Sequence, residues 1–304
     1  MDQIEFVRDF NRFYTQRLGV LNDHYLGQGR PLGEARLLFE IGDGADLREL
    51  RTRLGLDSGY LSRLLRALGG EGLVTVRPHP SDGRVRIASL TGAGRRERAD
   101  LESRSRDSVA ALLDPLTDGQ RERLLEAQAQ IRRLVRLATV TVEAVPDDAP
   151  EARECLEAYA GELARRFPEG YDAAAALIPP GALTEGTFLV AREDGRPVGC
   201  GLWQGASGLA ASESAAAGAA ALRSSAEIRH LWVSPAVRGI GLGRRLLAAL
   251  ERDAAAHGVT TVRLGTHGSL TEAIALYRAA GYREVPSYDS SPYNQLAFVK
   301  ELVL

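Results

Sequence analysis

Between residues 3 and 26 apolar side chains recur at helical spacing. Phe6, Phe10 and Phe13 are accompanied by Val7, Tyr14, Leu18 and Leu21, which predicts a helix with a broad apolar face before Pro31. A second helix is expected over 33–41, stopped by Gly42-Asp43-Gly44. Two short helices follow over 46–54 and 58–69, separated by Gly55. Residues 74–78 and 84–90 then alternate as strands around the turn residues Pro80-Ser81-Asp82-Gly83. Thr91 is placed to cap a helix reaching Leu113. Thr117 and Gln120 have capping-box spacing for another helix, with Leu124, Ile131, Leu134 and Ala138 on one face.

The rhythm changes after Val145-Pro146-Asp147-Asp148-Ala149-Pro150, a linker by composition. Strands are predicted over 187–192 and 198–203 around the turn Glu193-Asp194-Gly195. Residues 205–225 are almost all Ala, Gly and Ser and read as a flexible insertion. A strand over 228–233, a helix over 242–257 closed by Gly258 and a strand over 259–264 follow. A helix over 271–280 ends at Gly281, and a final strand covers 296–302. The length and this switch predict two domains, 1–140 mostly helical and 141–304 an α/β domain with a central mixed sheet.

Charge sharpens the division. The net charge of −2 combines +3 over residues 1–140 with −5 over the remainder, and 11 Arg against 5 acidic residues lie within 48–98. Such a cluster is a candidate phosphate-binding surface, although scattered charges also make ordinary solvated faces. The two cysteines, Cys155 and Cys200, are too few for a disulfide framework or a thiolate metal site, and no metal is expected. No apolar run is long enough for a membrane span, and the opening MDQIEFVRDF does not read as a signal peptide. A cytoplasmic protein that does not contact membrane is expected.

The most informative stretch is 228–245, IRHLWVSPAVRGIGLGRR. A strand ends at Val233, Pro235 turns the chain, and Arg238-Gly239-Ile240-Gly241-Leu242-Gly243 opens a helix. Glycines admit a ligand close to the backbone, and a helix N-terminus offers free N–H groups to a pyrophosphate. A dinucleotide site would need G-x-G-x-x-G and an acid about 20 residues later. Here the spacing is G-x-G-x-G, and the strand at that distance carries no acid. The stretch resembles the acetyl-CoA motif of the GNAT N-acetyltransferase superfamily, and Leu276-Tyr277-Arg278-Ala279-Ala280-Gly281-Tyr282 resembles its second motif. The likeness covers about 140–304. It implies an α/β GNAT fold that takes acetyl-CoA as co-substrate and acetylates an amine. It also implies contacts to that co-substrate from Leu231, Val233, Arg238, Gly239, Ile240, Gly241, Leu242, Gly243 and Arg244, with the oxyanion met by backbone N–H groups of a splayed strand around 231–233.

In the same resemblance Tyr277 protonates the leaving thiolate, though a core aromatic would fit the position equally. Glu227 matches the family's base, with His230 or a water as the competing choices, because an amine must lose a proton to be acetylated. Leu270 stands where many relatives have an asparagine. Arg166-Phe167-Pro168-Glu169-Gly170-Tyr171 resembles a loop beside the acceptor site, so Arg166 or Tyr171 is a candidate acceptor contact, and a purely structural loop is the other reading.

In the first domain, helix–turn–helix followed by a hairpin places Ser58, Tyr60, Ser62, Arg63 and Arg66 on the second helix, residue types that read base edges and phosphates. Together with Asp82-Gly83-Arg84 and Leu90-Thr91 this resembles the MarR family of winged-helix regulators, over about 1–140. The likeness implies a wing in which Arg84 reaches the minor groove, Asp82 braces it and Arg86 adds a phosphate contact. Gly83 stands where the family often has a second basic residue. It also implies a homodimer, formed through the first and last helices of this domain, on a pseudo-palindromic double-stranded operator. The expected protein is therefore a bifunctional regulator and N-acetyltransferase acting on a primary amine of a small molecule or peptide. The alternatives are a repressor whose second domain only senses acyl-CoA or an amine, and an enzyme whose first domain only dimerises.

Overall fold

The computed structural model describes residues 2–17, 29–179, 181–205, 224–288 and 291–302. They form two compact units, Met1–Ala127 and Gln128–Leu304. Leu18 and Leu21 of the first predicted helix, and 206–223 of the Ala/Gly/Ser insertion, lie outside the described residues.

The first unit is helical with a small sheet: α1 (Gln3–Arg17), α2 (Leu32–Ile41), β1 (Ala45–Asp46), α3 (Leu47–Leu54), α4 (Ser58–Gly70), β2 (Val74–Pro78), β3 (Arg86–Leu90), α5 (Gly92–Leu113) and the start of α6 (Asp118–Thr139). The helix starts follow from local chemistry. Asp46 accepts the Arg48 and Glu49 amides, Asp57 accepts the Tyr60 amide and Thr91 accepts the Gly94 amide, each satisfying a donor that the first turn leaves open. Buried leucines of α2 and α4 meet Leu50, Ala88, Leu90 and Leu101 in one core. Arg30, largely buried, ties α2 to α5 and to the turn after α4 through Glu34, Glu97 and Glu71. The sheet order is β1-β3-β2, all antiparallel. β3 starts at Arg86, two residues later than the alternation predicts. The Val85 amide turns back to the Asp82 carbonyl and the Asp82 carboxylate takes the Arg84 amide at 2.9 Å, so both residues close the loop instead.

The second unit holds β4 (Thr141–Val145), α7 (Pro150–Arg166), β5 (Gly186–Glu193), β6 (Arg196–Gly205), β7 (Ser225–Val233), α8 (Leu242–Ala256), β8 (Thr261–Thr266), α9 (Thr271–Ala279), β9 (Arg283–Val285) and β10 (Leu296–Glu301). Seven strands form one mixed sheet in the order β4-β5-β6-β7-β8-β10-β9. Neighbours are antiparallel except β7 and β8, which run parallel and pair only at Ser225–Glu227 with Thr261–Arg263. Alternate strand residues serve opposite faces. Phe188, Val190, Cys200 and Leu202 pack with Cys155 and Leu156 of α7, whereas Leu189, Ala191 and Ile228 pack with Leu246, Leu247 and Leu250 of α8. The unit takes in the last turns of α6, where Arg136 pairs with Glu193 and donates to the Ala236 carbonyl, and the Leu137 carbonyl accepts from Arg245. The first strand of the sheet, β4, lies just before the stretch that reads as linker and shares only Val145 with it, and Pro150 opens α7 at its first turn, where a missing N–H costs nothing.

Leu246 is fully buried over β6, where even a Cβ added at Gly199 would come within 3.1 Å of its Cδ1. We expect Leu246→Ala to destabilise this unit by about 2–5 kcal/mol through lost burial and an unfilled cavity, read as a shifted urea midpoint with an unchanged slope.

Candidate active site and nucleic-acid surface

The sheet opens because β7 and β8 stop pairing after Glu227 and Arg263, while β8 continues to Thr266 alongside β10. On its other side β7 carries a bulge. Cys200 pairs with Trp232 and Leu202 with Arg229, so Gly201 faces both His230 and Leu231. The extra residue, His230, has φ 52°, a left-handed conformation that is unusual for a side-chain-bearing residue. It also resets the alternation. Leu231 and Val233 pack on the same face as Ile228, and Trp232 joins the α7 side.

A cavity of about 140 Å³ occupies this opening. Glu227, His230 and Leu231 line it from β7, Thr266 and His267 from the end of β8, and Tyr277 from α9. The buried polar or charged residues among the described residues are Glu162, Glu227, His230, Thr266 and His267, and all but Glu162 line this one cavity. Burying such groups is costly unless they are satisfied or used. The Glu227 carboxylate is 3.7 Å from the Arg263 guanidinium, which lies over the Tyr288 ring. His230 Nδ1 is buried without a hydrogen-bond partner. Burial, with Arg229 alongside, holds the His230 imidazole down to about 3. Nδ1 of His267 accepts the Ser269 amide, which leaves Nε2–H to donate to Glu169 at 2.8 Å. Tyr277 is buried against Tyr282 and Phe298, and burial pushes its phenol well above the usual range, keeping it protonated.

Beyond β7 the chain passes through a 3₁₀ turn, Pro235–Val237, into the glycine loop. Gly239 and Gly241 have φ of 75° and 96°, which L side chains rarely adopt. Gly241 is the N-cap of α8 and contributes no side-chain cap, so the first amides of α8 remain available to a ligand. Arg244 is exposed beside them. Leu242 and Ile240 turn their side chains into the core, leaving only backbone for a co-substrate. Gly243 approaches Leu276 and Val233 at ordinary contact distance. Arg238 has partners of its own within the unit. Its guanidinium donates to the Val233 carbonyl and to Glu162, so it braces the loop from within. Glu162 also accepts from the Trp232 indole and from Arg166. Burial opposes its charge, but these donors hold its pKa below the usual carboxylate range.

Of the two acceptor candidates, Tyr171 lines the cavity, while Arg166 does not and is held by Glu162 and Glu272. Leu270 lines the cavity as well, just before α9. Sequence reasoning missed Tyr159, Phe167, His267 and Tyr293, which stack or meet edge-to-face along one wall. Tyr159 and Phe167 belong to α7 and its C-cap, but His267 and Tyr293 come from two distant segments, so no periodicity links all four.

In the first unit, α4 buries Leu61, Leu64, Leu65 and Leu68 and exposes Ser58, Tyr60, Ser62, Arg63 and Arg66. The Arg63 guanidinium lies over the Tyr60 ring at 5.4 Å. Arg66 Nε donates to the Ser62 carbonyl. Asp82, Arg84 and Arg86 are exposed along the hairpin loop, with Asp82 holding the Arg84 amide. α1 buries none of its residues, and Phe6 and Phe13 are 62% and 56% exposed. Leu125, Leu134 and Val135 of α6 are likewise exposed. Among the described residues no helix is long and apolar enough to cross a membrane, and no group of His, Cys, Asp or Glu side chains could hold a metal ion.

The acetyltransferase (GNAT) family model matches residues 152–282, and the MarR family model matches residues 34–85. An IAA acetyltransferase from Azospirillum brasilense is 35% identical over 97 residues, 32% of this chain. The chain spans about half, 54%, of that relative's length. Among solved structures, a phosphinothricin acetyltransferase from Sinorhizobium meliloti in complex with AcCoA is similar at 20% identity and TM-score 0.40, over 54% of this chain and 89% of that one. A probable transcriptional regulator from Pseudomonas aeruginosa is similar at 22% identity and TM-score 0.36, over 43% of this chain and 97% of that one. One family model thus falls on the glycine loop and cavity of the second unit and the other on the helix–turn–helix of the first, so the chain joins a region that matches the MarR family to a region that matches the acetyltransferase (GNAT) family.

Proposed function

We propose that the protein transfers an acetyl group from acetyl-CoA to a primary amine of a small molecule or peptide, and that as a homodimer it binds a pseudo-palindromic double-stranded operator. The observation that carries the enzymatic reading is the concentration of buried polar residues in one cavity on β7, the strand that leads through a short turn into an uncapped, glycine-rich helix N-terminus. The open amides of Gly239–Gly243 and the exposed Arg244 suit a pyrophosphate, and the acetyl group then reaches the gap between β7 and β8.

Transfer forms an N–C bond and breaks the C–S bond. One proton leaves the amine and one reaches the thiolate. Glu227 is the base this geometry favours, directly or through water. His230 is a poor one, because its imidazole takes a proton only near pH 3. The amides of the bulged strand around Leu231–Val233 would meet the oxyanion. Tyr277 would hydrogen-bond the leaving sulfur. Its raised pKa suits a donor whose acceptor is a thiolate in the same dry environment, since burial raises a thiol's pKa too.

For DNA, the exposed face of α4 fits a major groove and Arg84 and Arg86 a flanking backbone or minor groove. The uncovered apolar faces of α1 and α6 are what a dimer would bury.

Three outcomes follow. Tyr277→Phe keeps the ring and its packing, so kcat should fall about tenfold or more with little change in KM for acetyl-CoA or in the melt; free-thiol release on a panel of amines reads it. An unchanged kcat would make Tyr277 a core residue only. His230 is neutral when folded but protonates near 6.5 when unfolded, so its neutral burial favours folding fully above pH 6.5, and this contribution declines as pH falls toward 3. Wild type should therefore lose roughly 2 kcal/mol more than His230→Gln between pH 6.5 and 5, measured by denaturant titration at both pH values. Arg84→Ala should weaken operator binding by about 1–3 kcal/mol, measured on a duplex selected from random sequence; affinity equal to wild type would remove the wing from the interface.

A further inference from the structure

Acetyl transfer as described leaves one charged residue of the cavity unused. Arg229 stands on β7 two positions after Glu227, a spacing that returns both side chains to one sheet face. Its side chain is exposed and lines the cavity. Among the described residues it has no carboxylate partner, whereas Arg166, Arg238 and Arg263 each have one. An unmatched guanidinium on a cavity wall is prepared for an anion that the ligand brings, and its fork fits a carboxylate.

A second observation concerns the rest of the ligand. Phe167, Tyr171 and Tyr293 form a cluster with ring centroids 4.6–5.9 Å apart, and Tyr159 extends it toward His230. All four rings line the cavity. Flat apolar walls of this kind take a ring or a large aliphatic group. A third is His230, directly after Arg229, whose Nδ1 is buried without a partner. Its neutral ring can serve either polar end of a ligand, accepting from an amine or donating to a carboxylate, according to tautomer.

We propose that the acceptor is a free α-amino acid with an aromatic or large apolar side chain, its amine at Glu227, its carboxylate at Arg229 and its side chain among Tyr159, Phe167, Tyr171 and Tyr293. In such a molecule one carbon separates amine from carboxylate, so the two ends converge on side chains that leave the same strand face. The assignment rests on the acetyl-transfer reading above and deepens it by naming the substrate class.

The test compares ligands that differ only by the carboxylate, on the full chain. Thiol release is followed with phenylalanine and with phenethylamine, and calorimetry measures binding of N-acetylphenylalanine against N-acetylphenethylamine. In wild type the carboxylate should improve both kcat/KM and affinity by about tenfold or more. Arg229→Gln should reduce that ratio to near one, and Arg229→Lys should restore part of it. Arg229 is exposed, so all three proteins should melt alike. Equal affinity for the two acetylated compounds, or a ratio that survives Arg229→Gln, would overturn the proposal. A carboxylate-dependent affinity without thiol release would uphold the subsite and instead overturn the acetyl-transfer reading. Turnover without carboxylate preference would do the reverse.

Discussion

The second unit depends on where two parallel strands stop holding each other. β7 and β8 exchange backbone hydrogen bonds over three residues and then part. A sheet cannot open in its middle without leaving backbone groups unpaired, and buried unpaired groups are expensive. The structure accommodates the gap by giving β8 a second partner in β10 and by letting β7 bulge against β6 at His230. The gap becomes a cavity: alternation brings Glu227 and Arg229 to it, the bulge adds His230, and beyond the bulge Leu231 and Val233 pack against the core. The same break that weakens the sheet thus supplies a room lined with polar groups.

The glycine loop is fixed relative to that room by a buried carboxylate. Glu162 on α7 gathers the Arg238 guanidinium, the Trp232 indole and Arg166. The charge would be costly at this depth if unpaired. With three donors it ties the end of β7, the start of the loop and α7 into one frame. Arg238 in turn holds the Val233 carbonyl, the last residue of β7. The loop itself provides backbone rather than side chains, since Ile240 and Leu242 point inward and Gly239 and Gly241 have none. Under the proposed reading, a surface made of amides would meet a phosphate without regard to what is attached to it, and selectivity for the other substrate would fall to the aromatic wall and Arg229.

In the first unit, buried and exposed roles are divided along single helices. The four leucines of α4 that face the core leave the serines, Tyr60, Arg63 and Arg66 to solvent. Arg30, paired with three glutamates from three elements, fixes the scaffold behind this face. α1 and α6, by contrast, carry exposed apolar residues, among them Phe6, Phe13, Leu125, Leu134 and Val135.

How much of this was legible depended on the range of the interaction. Helix starts at Asp46, Asp57 and Thr91 rest on side chains bonding amides two or three residues away, so the sequence determined them by itself. The same holds for Gly239 and Gly241, whose backbone only glycine adopts readily, and for the leucine stripe of α4, set by helical period. Glu227, Leu231 and Tyr277 were identified by motif, and the structure brings them to one cavity. Other features were not legible. β4 went unpredicted, because an edge strand with one partner needs little apolar pattern. Strict alternation along β7 gives the wrong face beyond His230, since a bulge is decided by the neighbouring strand. The motif shows Arg238 but not its partner Glu162, which stands 76 residues away. The aromatic wall joins Tyr159, Phe167 and Tyr171, neighbours along α7 and the loop after it, to Tyr293, which only tertiary packing brings to them. Local hydrogen bonds and helical period are written in neighbouring residues; strand partners, buried ion pairs and cavity walls belong to residues far apart in the chain, and only tertiary packing chooses among them.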